Sequence, residues 1–318
     1  MTAGASGRRE ALLLAILYVG VALALARSHA ANVDARSPEQ VERKLEAHRK
    51  TLANEEPDPY QYKFFAIAWA VEGVHRATGL SVRSVYIGNT YLSLLVLLFA
   101  HHAWLASLYG RRPAVAGTLL LAALAHALFL GYWHHPYEFW GVAGFCLLLE
   151  AAGRGRSTAV LAGLALATGL VWEKHALVPV LWAWNRWRGG QRLVAAAARG
   201  ALVLACALAW FVAVRWICGT DRPAVDDTPL ADQRWRWVLA NQLPFALVAG
   251  ASAALAWRRL PAWVRLLWWY VPALVGAYVA SRFILHEPRS FWALVPVVTA
   301  TFAAWFAPPR DPALPPAT

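Results

Sequence analysis

Cysteine is nearly missing from this chain. Cys146, Cys206 and Cys218 are the only three, and their scatter excludes both a disulfide framework and a zinc site built from cysteine pairs. Acidic residues are also sparse: 18 Asp and Glu stand against 30 Lys and Arg, a formal net charge of +12. Such an excess would suit a nucleic-acid partner, but the arginines come in short clusters between apolar runs, the pattern of cytoplasmic loops, so nucleic acid is not expected as a partner. Charge of either sign makes up only 15% of the chain against 59% hydrophobic residues, and the mean hydropathy is +0.42. That balance excludes a soluble domain of 318 residues and fits a polytopic membrane protein with the lipid bilayer as its main partner. No internal repeat relates the two halves, and little charge lies at mid-membrane depth. Two marks of a transporter or flippase are therefore missing, although Pro179, Pro244 and Pro272 would break spans as transporters do.

What the chain does contain is 18 Trp, many at the ends of apolar runs, where they serve as interfacial anchors. Arg8 and Arg9 precede the first run, Ala11 to Ala26, and place the N-terminus in the cytoplasm. An exterior loop, residues 27–63, follows. Its middle reads as a helix outside the membrane: Ser37 caps it, Pro38 occupies the first position, and Gln40 completes a capping box. Glu39 with Arg43 and Glu46 with Lys50 are spaced as ion pairs, and Val41, Leu45 and Leu52 form a thin apolar stripe. Phe64 to Arg76 reads as a second, interfacial helix carrying Glu72, His75 and Arg76 on one face.

Spans are then expected over 85–109, 114–132, 140–152, 158–172, 176–184, 193–217, 237–257, 266–281 and 293–306. With the first run this makes an all-α bundle of about ten spans, taken at roughly 20 residues each with some shorter. Residues 1–307 form one integral-membrane domain with a second exterior loop at 218–236, and the Pro-rich tail 308–318 is expected to be disordered.

Orienting the chain by its arginines puts Asp34, Glu55, Glu56, Asp58, Glu138, Glu173, Asp221, Asp226, Asp227, Asp232 and Glu287 on the exterior side. Acids contribute little to orientation, so this grouping is nearly independent information and points to a cleft on that face. Glu138 and Glu173 stand at span ends in apolar sequence, where ionisable side chains are costly and tend to be functional. His101, His102 and His126 fall within spans; His102 and His126 would differ in depth by about 9 Å, so packing through hydrogen bonds is expected rather than haem ligation. Glu56 and Asp58, one residue apart, have the spacing of a carboxylate pair that holds a divalent cation; no other cofactor is indicated.

The layout resembles the GT-C superfamily of membrane glycosyltransferases. Asp34, just beyond the first run, stands where such enzymes place a first-loop catalytic acid. DPYQYKFFAIAW (Asp58 to Trp69) is similar to a PYxYR stretch of uncharacterised bacterial members, with Lys63 in place of Arg. Glu173 in VWEKHALVPVL and Glu287 in HEPRSFWALVP (His286 to Pro296) resemble acid-bearing span ends of the same enzymes. The sequence departs from the family in that Ala35, not a second acid, follows Asp34.

The resemblance implies transfer of a sugar, with inversion, from a polyprenyl-phosphate donor at the outer face of a bacterial cytoplasmic membrane. Asp34 would then be the catalytic base. Asp58, Tyr60, Tyr62, Lys63, Glu138, Glu173, Lys174, His175, Arg282, Glu287 and Arg289 would bind substrate. Among them Lys174, Arg282 and Arg289 suit the phosphate, and the tyrosines, with Tyr137 and Trp140, could stack on sugar rings.

Overall fold

The computed structural model describes residues 3–36, 38–55, 61–129, 136–171, 174–217, 235–280 and 292–307. Every regular element among these residues is helical: α1 (Ala3–Arg36), α2 (Pro38–Ala53), α3 (Gln61–Thr78), α4 (Val82–Tyr109), α5 (Arg111–Phe129), α6 (Pro136–Gly153), α7 (Thr158–Gly169), a 3₁₀ turn (Lys174–Ala176), α8 (Leu177–Arg188), α9 (Leu193–Ile217), α10 (Trp235–Ala256), α11 (Ala262–Leu267), α12 (Tyr270–Ala280) and α13 (Val295–Phe306).

By length and composition, four helical stretches could cross a membrane: 7–35, 82–109, 111–129 and 193–214. Three further apolar helices, over 158–169, 245–256 and 292–306, are shorter. The all-helical class is therefore present, with four helices of crossing length among the described residues.

The first run continues as helix well past Ala26, where its apolar character ends. Residues 27–36 hold three alanines and no Gly or Pro, so nothing in them stops a helix. The stretch expected as loop thus begins as the last turns of α1, and Asp34 stands on a helix. Beyond it, α2 starts at Pro38 as the capping pattern requires, and Glu46 reaches Lys50 at 3.6 Å. The single apolar stretch expected over 266–281 divides into α11 and α12. Pro272 has no N–H to offer the Trp268 carbonyl, and the Val271 N–H takes it instead at 3.2 Å, a tighter 3₁₀-type bond that separates the two helices.

Helix α4 is the hub and packs against α1, α5, α6 and α13. It lies antiparallel to α1, as contacts at both ends and the middle show. Glu10 pairs at 3.0 Å with Arg111, which opens α5 two residues beyond the end of α4, Tyr18 Oη bonds His102 Nδ1 at 2.8 Å, and Asp34 pairs with Arg83. His101, fully buried, joins three helices. The Thr299 hydroxyl donates to the Val295 carbonyl at 2.9 Å, so its oxygen accepts from His101 Nε2 at 2.8 Å, and Nδ1 accepts the Thr118 hydroxyl at 3.0 Å. This is the interhelical hydrogen bonding expected of histidine in a span.

Small residues let other helices approach closely. A Cβ at Gly169 would lie 2.6 Å from the Ala207 carbonyl oxygen, and one at Gly144 would lie 2.2 Å from Thr168 Cγ2. These contacts seat the end of α7 between α9 and α6.

Candidate functional site

The N-terminal turns of α4 carry a polar stripe: Arg83, Tyr86, Asn89, Thr90 and Ser93 recur at three- and four-residue spacing, which puts them along one side of a helix. Ser81 caps the helix, accepting from the Ser84 N–H at 3.2 Å. Each long member of the stripe reaches a different neighbour.

Arg83 donates to Asp34 Oδ1 at the end of α1. Both side chains are more than 40% exposed, at 42% and 45% respectively, so the pair lies at a rim. Tyr86 donates to His48 Nδ1 on α2 at 3.0 Å. The other ring nitrogen of His48 donates to Glu72 Oε2 on α3 at 3.4 Å, and Arg76 Nε donates to Glu72 Oε1 at 2.5 Å. Asn89 accepts from Trp140 Nε1 on α6 at 3.1 Å. One turn and a half of α4 therefore gathers α1, α2, α3 and α6.

Glu138 sits in the first turn of α6, two residues before Trp140, and is 4% exposed. The free N–H groups and dipole of a helix N-terminus favour a carboxylate at that position. Its backbone carbonyl accepts from Trp292 Nε1 at 3.2 Å, and Trp292 is held edge-on by Phe129 and Phe139 at 5.2 and 6.0 Å between ring centres. Three buried polar atoms at this end have no hydrogen-bond partner among the described residues: Glu138 Oε2, Asn89 Nδ2 and Arg83 Nε. An acceptor and two donors left open together are what a ligand carrying hydroxyl and anionic groups would satisfy, because buried polar atoms are otherwise paired. A small cavity is lined by His29, Leu94, His126, Phe129 and by Phe139, the residue that follows Glu138.

His175 is fully buried and donates through Nε2 to Thr168 Oγ1 at 3.2 Å, the Thr168 hydroxyl being committed to the Leu164 carbonyl at 2.8 Å. The 3₁₀ turn that bears it packs on α6 to α9.

Of the residues expected to form the site, Asp34 and Glu138 are thus brought to the same end of the hub helix. Tyr62 and Lys63 lie in the first turn of α3 and Lys174 opens the 3₁₀ turn, by backbone placement. Asp58, Tyr60, Glu173, Arg282, Glu287 and Arg289 lie outside the described residues, as do Glu56 and the spacing read as a cation pair. Among the described residues no three of His, Cys, Asp or Glu gather as a metal site would require. Sequence reasoning missed Arg83, Tyr86, Asn89 and His48. The signal was the three-residue recurrence of polar groups at the head of an otherwise apolar span.

Burial of His48 lowers its affinity for a proton from the ordinary 6.5, and the neighbouring Glu72 only partly restores it. Glu72 is itself held below the usual carboxylate range, chiefly by Arg76. A histidine whose folded pKa lies below its unfolded value contributes stability above the unfolded pKa and loses it as pH falls toward the folded one. The seat of α2 on α3 and α4 is therefore expected to weaken from about pH 6.5 downward. Amide exchange over Val41–Thr51, corrected for intrinsic rates, should be faster at about pH 5.5 than at about pH 7.5, and His48→Gln should flatten the difference. Equal protection at both values in the wild-type protein would detach His48 from the docking of α2.

Comparison with family models, curated proteins and solved structures returns no match to this chain.

Proposed function

We propose that the chain is a membrane glycosyltransferase of GT-C-like layout, with about ten passes of roughly 20 residues or fewer, that moves a sugar from a polyprenyl-phosphate donor to an acceptor hydroxyl at the outer face. The observation that supports this reading is that Asp34, through Arg83, and the segment of buried Glu138, through Trp140 and Asn89, both reach the N-terminal part of α4, where donor atoms of Arg83 and Asn89 stand open among the described residues. The described middle of the hub is joined by neutral histidine–threonine and histidine–tyrosine contacts instead. Transfer needs acids at one face, whereas transport needs them at mid-depth.

In this reading the acceptor oxygen attacks the anomeric carbon, and the bond from that carbon to the phosphate oxygen breaks. Polyprenyl phosphate leaves as the anion, and the acceptor proton passes to Asp34. Lys174, Arg282 and Arg289 hold the leaving phosphate, whose charge grows in the transition state. Glu138 accepts from a sugar hydroxyl. A divalent cation, if required, would be held by Glu56 and Asp58.

Purified protein in vesicles with a labelled polyprenyl-phosphate sugar and an acceptor should move label from the organic to the aqueous phase. Intact labelled lipid appearing on the opposite leaflet, with no transfer, would make the chain a flippase. Orientation is tested in intact bacterial cells with single cysteines at Ala35, Asp226 or Glu287 in a background lacking native Cys. An impermeant thiol reagent should label all three, and labelling only after lysis would invert the topology.

A further inference from the structure

Helices α8 and α9 run side by side, in contact where Gly200 lets α9 close on Ala183 and the Pro179 carbonyl. In front of that contact they leave an open groove of about 300 Å³. Its walls are apolar: Val180, Trp184 and Trp187 from α8, with Leu193, Ala197 and Leu204 among those from α9. Val180, Trp184 and Leu193 are 51%, 49% and 57% exposed, so nothing among the described residues covers them. From Leu193 to Leu204 the groove follows about 16 Å of α9, a distance suited to an extended acyl chain.

The groove lining reaches both sides of the turn at Gly189 and Gly190, and that turn is flanked by charge. Trp187 and Leu193 line the groove, and their immediate neighbours in sequence are Arg188 and Arg192. Both arginines are exposed, and neither has an ion pair among the described residues. No Asp or Glu occurs anywhere from Leu177 to Ile217, so no acid in either helix competes for them. An apolar slot about as long as an acyl chain, with two exposed arginines next in sequence to its lining, matches one chemistry. We infer that this groove binds an anionic phospholipid, one acyl chain lying between Trp184, Trp187 and α9 and the phosphate resting on Arg188 and Arg192. The site lies at the turn between α8 and α9 and rests on the membrane-spanning reading of α9, not on sugar transfer.

The full-length protein, purified in mild detergent and stripped of lipid, is titrated with phosphatidylglycerol or phosphatidylcholine, and retained lipid is counted by native mass spectrometry. Two arginines near the phosphate should favour the anionic lipid by roughly tenfold to thirtyfold. R188Q/R192Q should bring the two lipids to near-equal retention, while R258Q/R265Q, at another turn, should leave the preference intact. Ala201→Phe, which fills the groove without touching the arginines, should abolish tight retention of both. Equal retention of the two lipids by the wild-type protein would mean bulk lipid only and would overturn the inference. So would a preference unchanged in R188Q/R192Q, or a stable dimer that Ala201→Phe dissociates, since a second copy would then be the occupant. Failure of sugar transfer leaves these readouts unaffected.

Discussion

Asp34→Asn is expected to slow sugar transfer by about 10²- to 10⁴-fold while donor affinity stays close to wild type. Asn keeps the shape of the side chain and can still meet a hydroxyl, but it cannot take up the acceptor proton. The rim position makes the test clean. Asp34 and Arg83 are each more than two-fifths exposed, at 45% and 42%, and an exposed ion pair contributes roughly 0–1 kcal/mol, so losing it should not unfold the protein. Arg83→Gln is the companion variant, because it breaks the same pair but keeps the carboxylate. It should cost much less in turnover than Asp34→Asn. Single-turnover rates and donor binding, measured side by side, separate the cases. Equal damage from both variants would show that Asp34 acts by holding Arg83, and turnover near wild type for Asp34→Asn would remove it from the chemistry.

The second large effect is expected at Glu138 and has two opposite parts. A buried carboxylate oxygen without a partner destabilises the empty protein. Glu138→Leu should therefore raise the thermal midpoint of the substrate-free protein in detergent. The main-chain bond from Trp292 survives the substitution, since the Glu138 carbonyl accepts it. If Oε2 accepts from a sugar hydroxyl, the same substitution removes a charge-assisted hydrogen bond of about 1.5–3 kcal/mol, raising KM by roughly 10- to 100-fold. Glu138→Gln should fall between. A rise in midpoint with unchanged KM would reduce Glu138 to a buried acid at a helix end. A fall in midpoint would mean that the carboxylate has a structural partner.

Much of the helical layout was legible because apolar runs in this chain are sharply bounded. The run predicted over 193–217 is α9, residue for residue, because Arg192 precedes it, no Pro interrupts it, and its one glycine, Gly200, serves the close packing on α8 without breaking the helix. The expected helix from Pro38 was legible from capping chemistry alone. What the sequence hid were differences between the end of an apolar run and the end of a helix. Arg27 ends the hydrophobic character of α1 but not its backbone hydrogen bonding, so Asp34 was read onto a loop. Conversely, hydropathy is uninterrupted across Trp268 and Trp269, where the missing N–H of Pro272 splits two helices. The site was half visible. Glu138 stood out as an acid in apolar surroundings, and its open oxygen was not predictable because it depends on which polar groups of other helices the fold brings within reach. The Arg83, Tyr86 and Asn89 stripe was written in the spacing, but a few polar residues at the head of a span carry little weight without knowing that four other helices converge there.

Helix α1 is tied at three depths, twice to the hub and once to the first residue of α5, and the ties have a mechanical consequence. The ion pairs Glu10–Arg111 and Asp34–Arg83 lie near its two ends, with Tyr18 clasped between Phe99 and His102 in the span. Sliding α1 by one helical turn, about 5.4 Å, would part all three at once, and rotating it would expose the fully buried Tyr18. The assembly thus behaves as a splint rather than a piston. In the proposed reaction, a carboxylate mounted on a splint would keep a fixed height relative to α4, and substrates would have to come to it. Crosslinks that tether α1 to α4, at Leu14 with Ala106 or Val33 with Val82, should accordingly leave turnover intact.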